Sequence, residues 1–314
     1  MELFVSSLNV VLPLFIMMAA GWLLRKNGLV SAQGLSELNR VNARFFLPVM
    51  QFYNICEGDL LKGINPDFVV YSSAATVVIF LLCIFLVPKT VTDVKRQSAL
   101  TLGIYRSNIA IYGLPLATGI FGSSEMVSNV LMMVSVCILI TNFFAIMAVE
   151  LFKGEKLKLL TLVWRSLRNP ITYGLILGVA VQFLPFSLPG ILLSPIKSLA
   201  AIATPMAFVV LGATFTFKSS IKNVKAISIV TILKLIVTPL LIIPAGIVVF
   251  GFRADSLAAM LCVFATPTAV NTLPLIKDAG ADDELMGEII VFTTGVSILT
   301  IFGFVYTFKL LGLF

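Results

Sequence analysis

Long apolar runs alternate with short polar stretches along almost the whole chain. A helix needs roughly 20 apolar residues to cross a bilayer. Runs of that kind stand at about 8–25, 36–56, 67–88, 98–121, 127–152, 169–185, 190–216, 224–250, 255–277 and 285–310. The pattern predicts ten membrane-spanning helices joined by short loops, with no room for a soluble domain. The first run has no basic segment before it and continues past Gly21. It reads as a first span and not as a cleaved leader.

Prolines and glycines recur at an offset of 157–159 residues. Pro13 and Gly21 match Pro170 and Gly178, and Pro48 matches Pro205. Spans 4 and 9 match best: Leu114-Pro-Leu falls on Leu273-Pro-Leu, and Glu125 on Glu284. Five spans per repeat is odd, so the second repeat must run opposite to the first. The expected organisation is residues 1–152 as one five-helix repeat, 153–168 as a basic cytoplasmic linker and 169–314 as a second, inverted repeat. Secondary transporters are frequently built this way. The linker, with Trp164 among leucines, reads as an interfacial helix.

Composition narrows the chemistry. Of 314 residues, 59% are hydrophobic, 12% are charged and none is histidine. The missing histidine removes imidazole acid–base catalysis, His-containing zinc sites and His-ligated haem. Cys56, Cys83, Cys137 and Cys262 have no metal-ligand spacing, so neither a metal nor a cofactor is expected. The net charge of +7 does not point to nucleic acid, because the basic residues cluster in loops between spans. Arg25, Lys26, Arg40, Arg44, Lys89, Lys95, Arg96, Lys153, Lys156, Lys158, Arg165, Arg168, Lys218, Lys222, Lys225 and Lys277 fall on one side. Only Lys62, Arg253 and Lys309 fall on the other. The positive-inside rule then places both termini outside, in a cytoplasmic membrane. All 15 acidic residues lie in loops or at span ends. A cation/proton antiporter or an intramembrane aspartyl protease needs carboxylates within the spans, so both classes lose support.

Spans 4 and 9 carry the candidate site. Gly113-Leu-Pro115 sits near the middle of span 4, and Pro267 and Pro274 flank Asn271 and Thr272 in span 9. Proline removes a helical hydrogen bond and crowds the preceding turn, so both spans are expected to break at these prolines. Matched broken helices in two halves point to a substrate site, where half-helix N-termini attract an anion. Asn108, Tyr112, Asn271 and Thr272 can add neutral hydrogen bonds. Arg106 either pairs with a carboxylate or snorkels to the cytoplasmic side. Lys234 in span 8 reads as a snorkelling lysine, and Lys197 lies near the outer end of span 7.

These motifs resemble those of the auxin efflux carrier family, which includes plant auxin exporters and many bacterial carriers. Asn39-Arg40 is followed by Pro48-Val-Met-Gln51-Phe52; Asn108-Ile-Ala-Ile-Tyr-Gly113-Leu-Pro115 lies in span 4; Met206-Ala207 precedes Leu211-Gly212; and Pro267 precedes Lys277-Asp278. The resemblance covers essentially the whole chain. It implies an all-α polytopic membrane protein of ten helices, as two inverted five-helix repeats with crossover helices 4 and 9. That fold is shared with sodium/proton antiporters and bile acid symporters. It further implies a scaffold of helices 1, 2, 6 and 7, a transport unit of helices 3–5 and 8–10, elevator-like movement and a homodimer. Asn108 takes the position of the crossover asparagine that faces the substrate carboxylate. Gln51 stands where plant carriers have a substrate-proximal serine, and Asn271 where they have an apolar residue. Bacterial relatives are linked to small acids such as malonate or malate.

The expected function is a secondary carrier of small organic anions, from malonate or malate to auxin-like acids, working by alternating access and driven by the membrane potential. The alternative is a sodium- or proton-coupled symporter of the bile acid type, with Ser107, Thr204, Thr266 and Thr293 as ion ligands beside backbone carbonyls. A channel and a membrane enzyme are further classes; no nucleophile–base pair supports the enzyme.

Overall fold

The computed structural model describes residues 2–57, 64–122, 125–153, 159–183, 188–214 and 223–314. Lys62, Lys156, Lys158, Lys218 and Lys222, used above for topology, lie outside the described residues, as do the side chains of Lys153 and Arg165. Among the described residues the chain is helical, with no strand. Six helices are long and apolar enough to cross a membrane: Glu2–Lys26, Pro66–Thr90, Glu125–Phe152, Gly190–Thr214, Val224–Phe250 and Asp283–Leu310.

In chain order, α1 is Glu2–Lys26. A rod, α2, joins Ala32–Val41, a π-helical turn Asn42–Phe46 and Leu47–Glu57. Then come α3 (Pro66–Thr90), α4 (Val94–Tyr105), α5 (Ile109–Phe121), α6 (Glu125–Lys153) and α7 (Leu159–Leu167). The second half holds α8 (Pro170–Gln182), α9 (Gly190–Thr214) and α10. This last is a rod of Val224–Ile232, the π-turn Leu233–Val237 and Thr238–Phe250. It is followed by α11 (Ala254–Met260 with the π-turn Leu261–Ala265), α12 (Thr272–Asp278) and α13 (Asp283–Leu310).

Short polar residues start these helices as N-caps, because their side chains satisfy the first free N–H groups. Asn65 accepts from Asp67 and Phe68 N–H, and Pro66 fills the first helical position. Asn169 with Pro170 repeats the device at α8. Asp93 and Asp282 cap α4 and α13.

Two tight helix pairs organise the packing. A Cβ on Gly21 of α1 would meet the Val209 carbonyl oxygen of α9 at 1.9 Å, and a Cβ on Gly212 of α9 would meet the Met18 oxygen at 1.9 Å. The second pair is α2 with α8, where a Cβ on Gly174 would lie 2.2 Å from the Pro48 oxygen and one on Gly178 3.0 Å from the Phe52 oxygen. Small residues at helix interfaces let backbones approach this closely. Outward faces are apolar: Val70, Val78, Leu82 and Phe85 on α3, and Leu240, Leu241, Val248 and Val249 on α10, are exposed. Apolar surface on that scale suits lipid and not water. Trp22 and Trp164 each sit beneath a basic side chain, Lys26 at 4.6 Å and Arg168 at 5.8 Å. Such pairs suit the membrane–water interface.

Candidate functional site

Two helices are interrupted in the middle of the fold. The first interruption, Arg106-Ser107-Asn108, separates α4 from α5; the second, Thr266 to Asn271, separates α11 from α12. The two extended stretches cross and pair antiparallel at Ser107 and Thr268. Asn108 N–H donates to the Pro267 oxygen at 2.8 Å, and Ala269 N–H donates to the Arg106 oxygen at 3.2 Å. These bonds replace helical ones that the break removes. The freed carbonyls of α4 are also used: the Thr268 hydroxyl donates to the Gly103 oxygen at 2.7 Å. Non-helical backbone is tolerated at membrane depth only where protein or a wet cavity satisfies it.

The first break does not lie at the proline. Pro115 sits inside α5, and the interruption comes before Asn108. Proline removes only its own donor to the preceding turn, while the crossing extended stretch supplies replacement partners at residues 106–108. In span 9, Pro267 lies within the break and Pro274 in the first turn of α12, where no N–H is required.

A cavity of about 460 Å³ leads to this crossing, and Arg106, Asn142, Asn271 and Pro274 line it, with Arg44, Glu150 and Arg168 also contributing. Its size falls in the range of small-molecule sites. A smaller space of about 20 Å³, room for roughly one water, adjoins Arg106, Asn108, Asn142 and Asn271 at the N-terminus of α5. Arg106 is 4% exposed, and its guanidinium donates to Asn142 Oδ1 at 2.7 Å. Arg96 pairs with Asp282 at 3.6 Å, whereas Arg106 forms no ion pair among the described residues; Glu150 lines the same cavity. Asn108 Nδ2, Asn142 Nδ2 and Asn271 Oδ1 are buried without a protein hydrogen-bond partner. A buried cation and unsatisfied polar groups are costly unless something completes them. The N-terminus of α5 adds partial positive charge at the same place.

Lys234 is the largest departure from the sequence reading. It does not snorkel: it is 1% exposed in the π-turn of α10. Its ammonium donates to Ser107 Oγ at 2.5 Å and to the Tyr105 oxygen, the last carbonyl of α4, at 3.3 Å. A lysine 11 residues into an apolar run can reach either way, and only the packed neighbours decide.

The remaining site residues divide. Arg106 and Asn271 line both spaces, and Asn108 joins them in the smaller one. Tyr112 is fully buried and packs edge-on against Phe208 at 5.0 Å, away from both cavities. Gln51 is buried on α2 and lines neither. Thr272 is buried at the start of α12 with its hydroxyl unpartnered. The other hydroxyls suggested as ion ligands donate to near neighbours, Thr204 to Met50 Sδ at 3.4 Å, Thr266 to the Cys262 oxygen at 2.8 Å and Thr293 to the Ile289 oxygen at 2.8 Å; donation uses the hydrogen and leaves the oxygen lone pairs. Sequence reasoning passed over Asn142. An asparagine within the apolar run 127–152 was a usable signal, since polar residues inside spans are rarely idle.

Apolar helices surround a polar crossing that a cavity reaches, an arrangement that suits passage of a small solute through a membrane protein. Residues 6–305 match the family model described as "Membrane transport protein". The chain therefore belongs to that family, the auxin efflux carriers. It is similar to a protein named "Uncharacterized transporter" from Methanothermobacter thermautotrophicus, with 24% identity over 95% of this chain and 97% of the relative. It is also similar to a protein named "Putative malonate transporter" from Rhizobium meliloti, with 24% identity over 96% of this chain and 95% of the relative.

Proposed function

We propose that this chain is a secondary transporter that carries small organic anions, of the malonate or malate class, across the cytoplasmic membrane by alternating access. The observation that carries the reading is Arg106: a buried guanidinium lining a cavity, held by Asn142 and in no ion pair among the described residues, although Glu150 lines the same cavity. A substrate carboxylate completes it in a charge-assisted pair, and the free Nδ2 groups of Asn108 and Asn142 can donate to its oxygens. Arg44 and Arg168 at the same cavity draw an anion toward it. The name of the Rhizobium relative points to the same class.

The reading includes ten spans in two inverted repeats, a scaffold of α1, α2, α8 and α9, elevator-like movement of the rest, external termini and a homodimer. Contacts at the repeat offset support the inversion. Gly21 meets Val209 in one tight pair and Gly178 meets Phe52 in the other; each contact maps onto its counterpart at an offset of 157 residues. Asn108 bonds to Pro267, its own equivalent at an offset of 159, as a two-fold axis through the crossing requires. Export of anions then runs down an inside-negative potential, which supplies about 2.3 kcal/mol per charge per 100 mV.

Asn108→Ala tests the site. It removes a buried unpartnered amide and leaves the backbone bond to Pro267 in place. Malonate affinity, read by thermal shift or calorimetry on purified protein, should fall about 10-fold or more, the worth of one hydrogen bond to a charged group. Unchanged affinity in the folded variant would remove Asn108 from the site.

A further inference from the structure

The crossing holds two buried cations, and only one of them faces the cavity. Arg106 lines it. Lys234 lines neither cavity; it lies behind the break, bonded to Ser107 Oγ and to the last carbonyl of α4. Ser107 and the carbonyls of the break are the groups that a coupling sodium ion would need. Here the ammonium already holds Ser107 Oγ and the Tyr105 carbonyl.

We propose that Lys234 is a tethered cation that stands in the place of a mobile coupling ion at the crossing. The inference rests on the anion-carrier reading for its transport consequence but not for its structural one. A helix C-terminus carries roughly half a negative charge, and two such breaks at membrane depth call for a positive charge nearby. An exchangeable cation meets that need only while bound. A lysine meets it in every state, because it stays with the break to which it is bonded. The charge therefore returns with the protein in each cycle and adds nothing to net transport. The charge moved per turnover equals the substrate's own, and the transporter has no requirement for sodium.

Two measurements on the full-length purified protein test this. First, the melting temperature is compared in sodium chloride and choline chloride at equal ionic strength. The native protein should melt at the same temperature in both; a rise in sodium would overturn the proposal. Lys234→Ala should melt about 5 °C lower, the size expected for an unsatisfied crossing. Millimolar ethylammonium should recover the loss, and ethanol at the same concentration should not. Equal recovery by both, or none by either, would mean that Lys234 fills space only. Should Lys234→Ala fail to fold, Lys234→Met and Lys234→Arg decide: only the arginine variant should keep the native melting temperature. Second, labelled malonate flux into vesicles is measured with and without sodium, together with the charge moved. Two negative charges per malonate and no sodium effect are expected; sodium-driven flux would overturn the proposal. Absence of any malonate flux would fail the substrate reading, and the melting experiments would still decide the role of Lys234.

Discussion

Arg106→Gln should weaken malonate binding about 100-fold or more while leaving the protein folded. Truncating one partner of a buried, hydrogen-bonded charge pair costs about 2–5 kcal/mol, and each 1.4 kcal/mol is a factor of about ten. Glutamine keeps a donor for Asn142 Oδ1, which Arg106 reaches at 2.7 Å, so the local fold has a partner to keep. What is lost is the positive charge lining the cavity. Dicarboxylates should lose more than monocarboxylates, because the lost charge attracts two substrate charges in place of one. Titration of the variant with malonate and acetate, by calorimetry or thermal shift, reads both effects. Equal losses for the two acids would assign Arg106 a structural role and would move the anion site elsewhere.

The second large effect concerns packing and not chemistry. Gly212→Leu, and in lesser degree Gly212→Ala, should destabilise the protein severely. Even the first carbon of a side chain would lie 1.9 Å from the Met18 oxygen of α1. The obstacle is backbone within a helix, which cannot turn aside as a side chain can, so α1 and α9 must separate along their contact. Overpacking of flexible cores costs about 1–3 kcal/mol, and a rigid contact should exceed that range. The melting temperature should fall by at least about 6 °C. Gly287→Ala is the matched control: nothing lies within 4 Å of the new Cβ on α13, so its melting temperature should stay within about 2 °C of the native value. A Gly212→Ala variant as stable as this control would mean that the close α1–α9 contact is not what holds the pair together.

Much of the architecture was readable from the chain. Apolar runs mark α1, α3, α6, α9, α10 and α13 because a helix that faces lipid must stay apolar over some 20 residues. The caps Asn65-Pro66 and Asn169-Pro170 mark where α3 and α8 begin, because their chemistry is local. The presence of two interruptions, in spans 4 and 9, was also legible. Their position was legible only in span 9, where Pro267 lies within the break. In span 4 the proline misled: α5 runs through Pro115 unbroken. Helix tolerates one missing hydrogen bond, whereas the bonds that hold residues 106–108 extended come from a segment more than 150 residues away.

The site divides along the same line. Residue type and depth along the chain already marked Arg106, Asn108 and Asn271 as candidates, since charged and amide side chains inside an apolar span are costly and must be satisfied somewhere. Which of them meet, and which other polar residues stay apart, depends on distant contacts. Tyr112 turns to Phe208 on α9; Asn142 reaches across from α6 to fix Arg106; Lys234 turns inward to Ser107 in place of outward to water. Local chemistry and hydrophobic pattern set the spans, their caps and the inventory of polar groups within them. The crossing, the choice between snorkelling and burial, and the burial of Arg106 against Asn142 arise only when helices far apart in the chain are packed together, because each is a property of neighbours and not of sequence position.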